Sequence, residues 1–364
     1  MSKCTIYQAC KLSLLLLVSV NGVAETLTLQ PNCVAAQQAV VSHGGNMVSG
    51  ETPLSLLTFN TDSSGCISDY NRLKHLLNQQ IWPEKNTIQS QNLLNAFQYD
   101  FSQYQPLSEN YQIHTELAPS PYNNDTLLLL INIKQSDKAT EPAKQGLAYL
   151  QAKLRFNPRL ITEYRLIGFE RNFGNPVNKQ MSKGHARLEA QSSGQYSALY
   201  ELRIDDSAAY KSPAHKPSAQ QRFSADNLAT LSLHDMRITS QQALLGQFDI
   251  DIDIAQQDKF FQQASDEFRF AAAVAGLGQL INQSNYVHGF DYHELVNIAL
   301  DAKGADSQGE RSEFIALVKQ AMLVSVTNNV GIKKPHQRQA YPMPQPIYDT
   351  PPKQGSIIGK AIFN

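Results

Sequence analysis

The chain has 364 residues, a formal net charge of −1 and 17% charged residues. That length supports one large or two modest domains with real cores. The even charge balance excludes a global pull toward nucleic acid, and no nucleic-acid partner is expected.

Lys3 and Lys11 precede an apolar run, Leu12 to Val20, followed by the small residues Gly22-Val23-Ala24. This reads as a signal peptide, residues 1–24, cut after Ala24. The run is far shorter than the about 20 residues a membrane span needs, so no integral span is expected after cleavage. The mature chain is then expected in the periplasm or secreted. Cys4 and Cys10 leave with the signal, and Cys33 and Cys66 remain, an even pair in an oxidising compartment. They are expected to form a disulfide, worth about 3 kcal/mol by chain entropy if unstrained.

Residues 25–53 carry Gly44-Gly45 and Gly50 and read as a loose N-terminal segment. Leu54–Phe59 is an expected strand. Ser68 is a fair N-cap for a helix with Tyr70, Leu73 and Leu77 on one face, ended by Pro83. A second helix carries Leu93, Leu94 and Phe97. Tyr111–Leu117 and Thr126–Ile133 read as strands, the second buried on both sides. Residues 134–149 are polar, with Pro142 and Gly146, and read as a linker.

Leu154–Glu170 (LRFNPRLITEYRLIGFE) is two strands joined by an Asn157-Pro158 turn. Tyr164, Leu166 and Gly168 share one face; Arg165, Ile167 and Phe169 share the other. Gly184–Glu189, Tyr196–Arg203, Leu228–Leu233 and Phe248–Ile254 complete nine expected strands. Their alternation suggests a sandwich. The period then becomes helical. Ser265 caps a helix with Asp266 and Glu267 in its first turn and a stripe of Phe270, Val274, Leu277 and Ile281. Gly276 and Gly278 allow close approach. Asp291 with Glu294, and Ser307 with Glu310, have capping-box spacing. The helices they open carry Leu295 and Ile298, then Phe314, Leu317, Val318 and Ala321. Residues 331–364, rich in Pro and basic side chains, cannot bury enough apolar surface to order themselves.

The stretch Leu154–Glu170, the Thr58-Phe59 to Asp62 segment and the helix ending in Tyr99-Asp100-Phe101 carry a family resemblance. So do the strand ending in Ala198-Leu199-Tyr200-Glu201 and the run from FRFAAAVAGLGQLI to FIALVKQAM. Together they resemble the flanking regions of bacterial von Willebrand factor type A proteins of the YfbK-like group. In that group an A domain stands between the two flanks; here only residues 134–149 occupy its place. The resemblance implies a scaffold that binds other proteins and lacks the metal-dependent adhesion domain. Where the family has a second Asp after Asp62, this chain has Ser64.

The string Asp62-Ser63-Ser64-Gly65-Cys66 fails the Asp-x-Ser-x-Ser pattern at its fifth position, so no metal is expected there. His288, Asp291, His293 and Glu294 cluster in sequence but lack the His-x-x-x-His spacing of a zinc helix. Asp249, Asp251 and Asp253 read as a solvated face protecting an edge strand. Gly355–Lys360 imitates a phosphate loop but is one residue short. No cofactor is expected.

The expected architecture is α+β. A β-sandwich-like domain, residues 54–259, is built from both flanks with two N-terminal helices. A helical segment, residues 260–330, follows. The function expected is a non-enzymatic module binding envelope proteins. The rival is an envelope hydrolase using His288, Asp291 and Glu294; a third reading is a decayed paralogue.

Overall fold

The computed structural model describes residues 46–50, 54–60, 68–103, 111–136, 150–168, 185–189, 195–204, 227–238, 244–287 and 289–328. All of them lie within one structural unit, residues 39–364. Two five-stranded sheets stack face to face, and helices cover the outer face of one of them.

Sheet A contains β1 (Met47–Val48), β3 (Tyr111–Pro119), β4 (Leu127–Gln135), β6 (Ile161–Leu166) and β8 (Gln195–Ile204), in the order β1-β6-β8-β4-β3. Sheet B contains β2 (Leu54–Asn60), β5 (Leu150–Phe156), β7 (His185–Glu189), β9 (Asn227–Ile238) and β10 (Leu244–Asp253), in the order β10-β9-β5-β2-β7. Among the described strands every pairing is antiparallel except β2 with β7. The helices are α1 (Asp69–Asn78), α2 (Ser90–Leu94), α3 (Asp266–Ile281), α4 (Tyr292–Asp301) and α5 (Glu310–Thr327). The class is α+β, with a β-sandwich.

Alternation decides which side chain meets which layer. On β4, Leu127, Leu129, Ile131 and Ile133 pack against sheet B, while Leu128 and Leu130 pack against the helices. This explains the unbroken apolar run, since β4 is covered on both faces. The sandwich core centres on Phe156 of β5, stacked 4.0 Å from Tyr164 and 5.7 Å from Tyr200. Ser55 and Tyr200 share a hydroxyl–hydroxyl bond of 2.9 Å between the sheets.

β5 and β6 flank the Asn157-Pro158 turn but belong to different sheets. The turn is an arch between layers. Asn157 shapes it: its Oδ1 accepts from Arg159 N, and its Nδ2 donates to Asn227 O. Asn157 O also accepts from Leu160 N and Ile161 N.

The helical layer has its own aromatic core. Phe97, Phe270 and Phe314 make mutual edge contacts at 5.2–5.5 Å. Arg311 lies over Phe270 and donates two bonds to Glu267. Helix α3 is buried around most of its circumference, beyond the single stripe expected. At Gly278 a Cβ would stand 2.6 Å from Ser90 Cα, so only glycine lets α2 lie against α3. Ser68, Ser265 and Asp291 cap their helices as expected.

Three expectations need correction. Helix α1 stops at Asn78, before Pro83, in a turn where Gln80 has φ +59°. Phe97 is buried but lies beyond the five-residue α2. Ser307 does not cap α5: Gly309 holds the N-cap position at φ +76°, and Asp306 accepts from the backbone N–H groups of Arg311 and Ser312. Strand β1, paired with β6, falls within residues 25–53, which were expected as a loose segment.

Glu116 of β3 ties sandwich to helices. Its two oxygens accept from Ser265 N and Ser265 Oγ, each at 2.6 Å, at the start of α3. Burial pushes its carboxyl up, but the bonds from His114 and Ser265 outweigh that and hold it below the usual range. A depressed folded-state value means stability that is present above the unfolded-state value and lost as pH falls through the folded one.

Two outcomes are expected. Phe156→Ala should cost about 3–5 kcal/mol and Leu166→Ala about 2–5 kcal/mol in denaturant unfolding, since both are buried. Glu116→Gln should lower the neutral-pH melting temperature and flatten the acid limb of its pH profile; an unchanged acid limb would show that Glu116 is not a contributor.

Candidate functional site

Strand β8 turns Tyr196, Ala198, Tyr200 and Leu202 to the sandwich and Leu199 to the helices. Glu201 shares the helix-side face with Leu199 by the same alternation. Its cross-strand partner in β6 is Arg165. Both are buried, at 5% and 2% exposure. Arg165 Nε donates to Glu201 Oε2 at 2.6 Å, and Arg165 Nη2 donates to Gln279 Oε1 of α3 at 2.7 Å. The guanidinium sits 4.2 Å from the ring centre of Tyr286, in the loop after α3. The other carboxylate oxygen accepts from Ser120 Oγ at 3.1 Å and Thr126 Oγ1 at 2.8 Å, from the β3–β4 turn. Four parts of the chain thus converge on one ion pair. Gln279 is fully buried, and its Nε2 has no hydrogen-bond partner among the described residues.

A polar cavity of about 190 Å³ adjoins this cluster. Glu201 and Thr126 form part of its wall, and Tyr286 another part. Asn46, Asn123 and Asn285 contribute three amides. Glu163 and Arg203 complete the lining and pair with each other at 3.4 Å. Asn46 Nδ2 also donates to Glu163 Oε2 at 2.8 Å. The arrangement can hold a small polar group by many weak, mixed hydrogen bonds.

The described residues singled out in the sequence lie elsewhere. Asp291 accepts from Glu294 N and caps α4; His293 is exposed; His288 lies outside the described residues. Asp291, His293 and Glu294 do not line the cavity. Asp249 and Asp251 are exposed on the edge strand β10, and Asp251 accepts from Thr230 Oγ1. Cys33, Cys66, the loop of Asp62 and the segment Gly355–Lys360 lie outside the described residues. Among the described residues, no group of three or more His, Cys, Asp or Glu could hold a metal.

Alternation sets Arg165 on one face with Ile167 and Phe169, and nothing in the periodicity singles out Arg165 or Glu201 as a site. Their signal was a pair of opposite charges, each within a strand whose neighbours are large and apolar.

The fold and site define a class first: an α+β scaffold in which a sandwich and a helical layer share one central sheet. Two family models match, "Uncharacterized protein YfbK, C-terminal" over residues 149–324 and "von Willebrand factor" over residues 37–130. A relative, "Uncharacterized protein YfbK" of Escherichia coli (strain K12), is 28% identical over 181 residues, 47% of this chain and 29% of the relative. The chain therefore spans less than a third of that relative's length. No solved structure matches. Over both matched regions the chain is similar to the YfbK-like group of von Willebrand factor type A proteins.

Removing one member of the ion pair leaves a buried charge uncompensated. Arg165→Met is expected to cost about 3–5 kcal/mol in denaturant unfolding. The double variant Arg165→Met/Glu201→Gln should recover a large part of that loss. Strictly additive losses would show that the two residues are not coupled.

Proposed function

We propose that this protein is an exported, non-enzymatic interaction module, a von Willebrand-type scaffold whose partners are envelope proteins. Matches to the von Willebrand-type family suggest a protein-interaction module. The observation that carries the reading is the interweaving of the two matched regions. Strand β2, from the first region, lies between β5 and β7 of the second; β4, begun in the first, lies between β3 and β8. Both regions are needed to close either sheet, so the scaffold stands as one body with no A domain inserted.

The reading places the mature chain, after cleavage behind Ala24, in the periplasm or outside the cell. No helix among the described residues is long and apolar enough to cross a membrane. Contact with partners runs through the sandwich loops, the helical segment or the basic tail.

Pull-down of the mature protein from envelope extract should retain defined envelope proteins, with the same yield in the presence of a chelator. Mg²⁺ and Ca²⁺ should leave the melting temperature unchanged. A rise in melting temperature with either ion would overturn the metal-independent reading. So would a hydrolytic activity abolished by one side-chain change.

A further inference from the structure

We propose that the cavity beside the Arg165–Glu201 pair binds a neutral polyhydroxylated ligand, a single sugar ring or the terminal residue of a glycan. This goes beyond the partner-binding reading and does not depend on it.

Size comes first. A volume of about 190 Å³ corresponds to roughly six waters at about 30 Å³ each, enough for one ring. It falls below the ~300 Å³ at which apolar, drug-sized pockets begin.

Chemistry narrows the class. Asn46, Asn123, Asn285, Thr126 and Tyr286 bring amides and hydroxyls to the wall; Asn46 Nδ2 donates to Glu163, Asn123 Oδ1 accepts from Asp125 N and Thr126 Oγ1 donates to Glu201, and each of these three side chains keeps further hydrogen-bonding capacity. A sugar hydroxyl both donates and accepts, so it can answer either kind of wall group. An apolar occupant would strip water from these groups and return nothing.

Charge then selects a neutral ligand. Glu201 already faces Arg165 at 2.6 Å, and Glu163 faces Arg203 at 3.4 Å. Each carboxylate has its own cation, so an ionic ligand would have to break a pair. A diol can bridge such a pair without breaking it.

The wall is also held in place before any ligand arrives. Ser120 and Thr126 fix Glu201; Gln279 and Tyr286 fix Arg165. A pre-ordered site loses less entropy on binding. Gln279 braces Arg165 from the α3 side and does not itself line the cavity.

The test is an NMR titration of the ¹⁵N-labelled full chain with glucose, galactose, mannose and N-acetylglucosamine, each to tens of millimolar. Glutamate and lysine serve as charged comparators. At least one sugar should give saturable shifts that include the amides of Asn285 and Tyr286. Asn285→Ala and Tyr286→Phe should each weaken that binding by up to about tenfold, the worth of one hydrogen bond, with melting temperatures unchanged. Asn285 is exposed and Phe keeps the ring over Arg165, so both variants should fold. Absence of saturable shifts with every sugar overturns the proposal. So does binding that both variants leave intact, or binding of glutamate or lysine in place of the sugars.

Discussion

Sheet A is covered on both faces, by sheet B on one side and by helices on the other, so polar groups in its centre cannot turn to water. An unpaired buried polar group costs about 1–3 kcal/mol. The helix-facing side nevertheless holds Asn132, Arg165, Gln195, Ser197 and Glu201, all buried. Each finds partners, and many come from the segments that cover the sheet. The helical layer is therefore a requirement of this sheet, since removing it would strand these side chains as well as expose Leu128, Leu130 and Leu199.

The same constraint shapes the edge of β8. β4 pairs with β8 from Gln195 to Leu202, whereas β6 pairs only from Tyr200 to Ile204. The first residues of β8 thus lack a strand on their second side. The segment around α2 supplies what a strand would. Ser197 N donates to Asn95 Oδ1, and Ser197 O accepts from Asn95 Nδ2 and Gln91 Nε2. The side-chain amide of Asn95 stands in for a peptide group. Gln195 does the reverse: its amide exchanges two bonds with the backbone of Tyr99. This docking needs α2 close to its neighbours, which accounts for Gly278 against Ser90 and for Gly168, at φ +96°, against Gln91.

Much of this was legible in the sequence. Two-residue alternation, or in β4 an unbroken apolar run, marks nine of the ten described strands, and the serine and aspartate caps mark three helix starts. Alternation gives two faces to a strand but does not say that either is wet. It groups Arg165 with Ile167 and Phe169 without saying that a second layer buries that face. The Asn157-Pro158 turn gave no sign of whether its strands pair or part, because an arch and a hairpin draw on the same turn residues. At α5, Ser307 and Glu310 have the spacing of a capping box, yet the adjacent Asp306 accepts two backbone N–H bonds with its carboxylate. Charge-assisted bonds are stronger than those to a hydroxyl, and spacing alone cannot weigh that. β1 has two residues, too few to show a period.

The arch between β5 and β6 has a counterpart in the step from β4 to β5, which also changes sheet. Gln135 ends a strand held between β3 and β8, and Leu150 begins one held between β2 and β9. Neither strand relies on the intervening residues for its register. Stacked sheets lie ~10 Å apart, and a chain spans up to ~3.3 Å per residue, so residues 136–149 have ample reach. Closure entropy changes by only about 0.6 kcal/mol per doubling of length. A long or a short insertion at this point therefore leaves both sheets with the same pairings and nearly the same stability. That is the physical reason the scaffold can stand without an A domain between its halves.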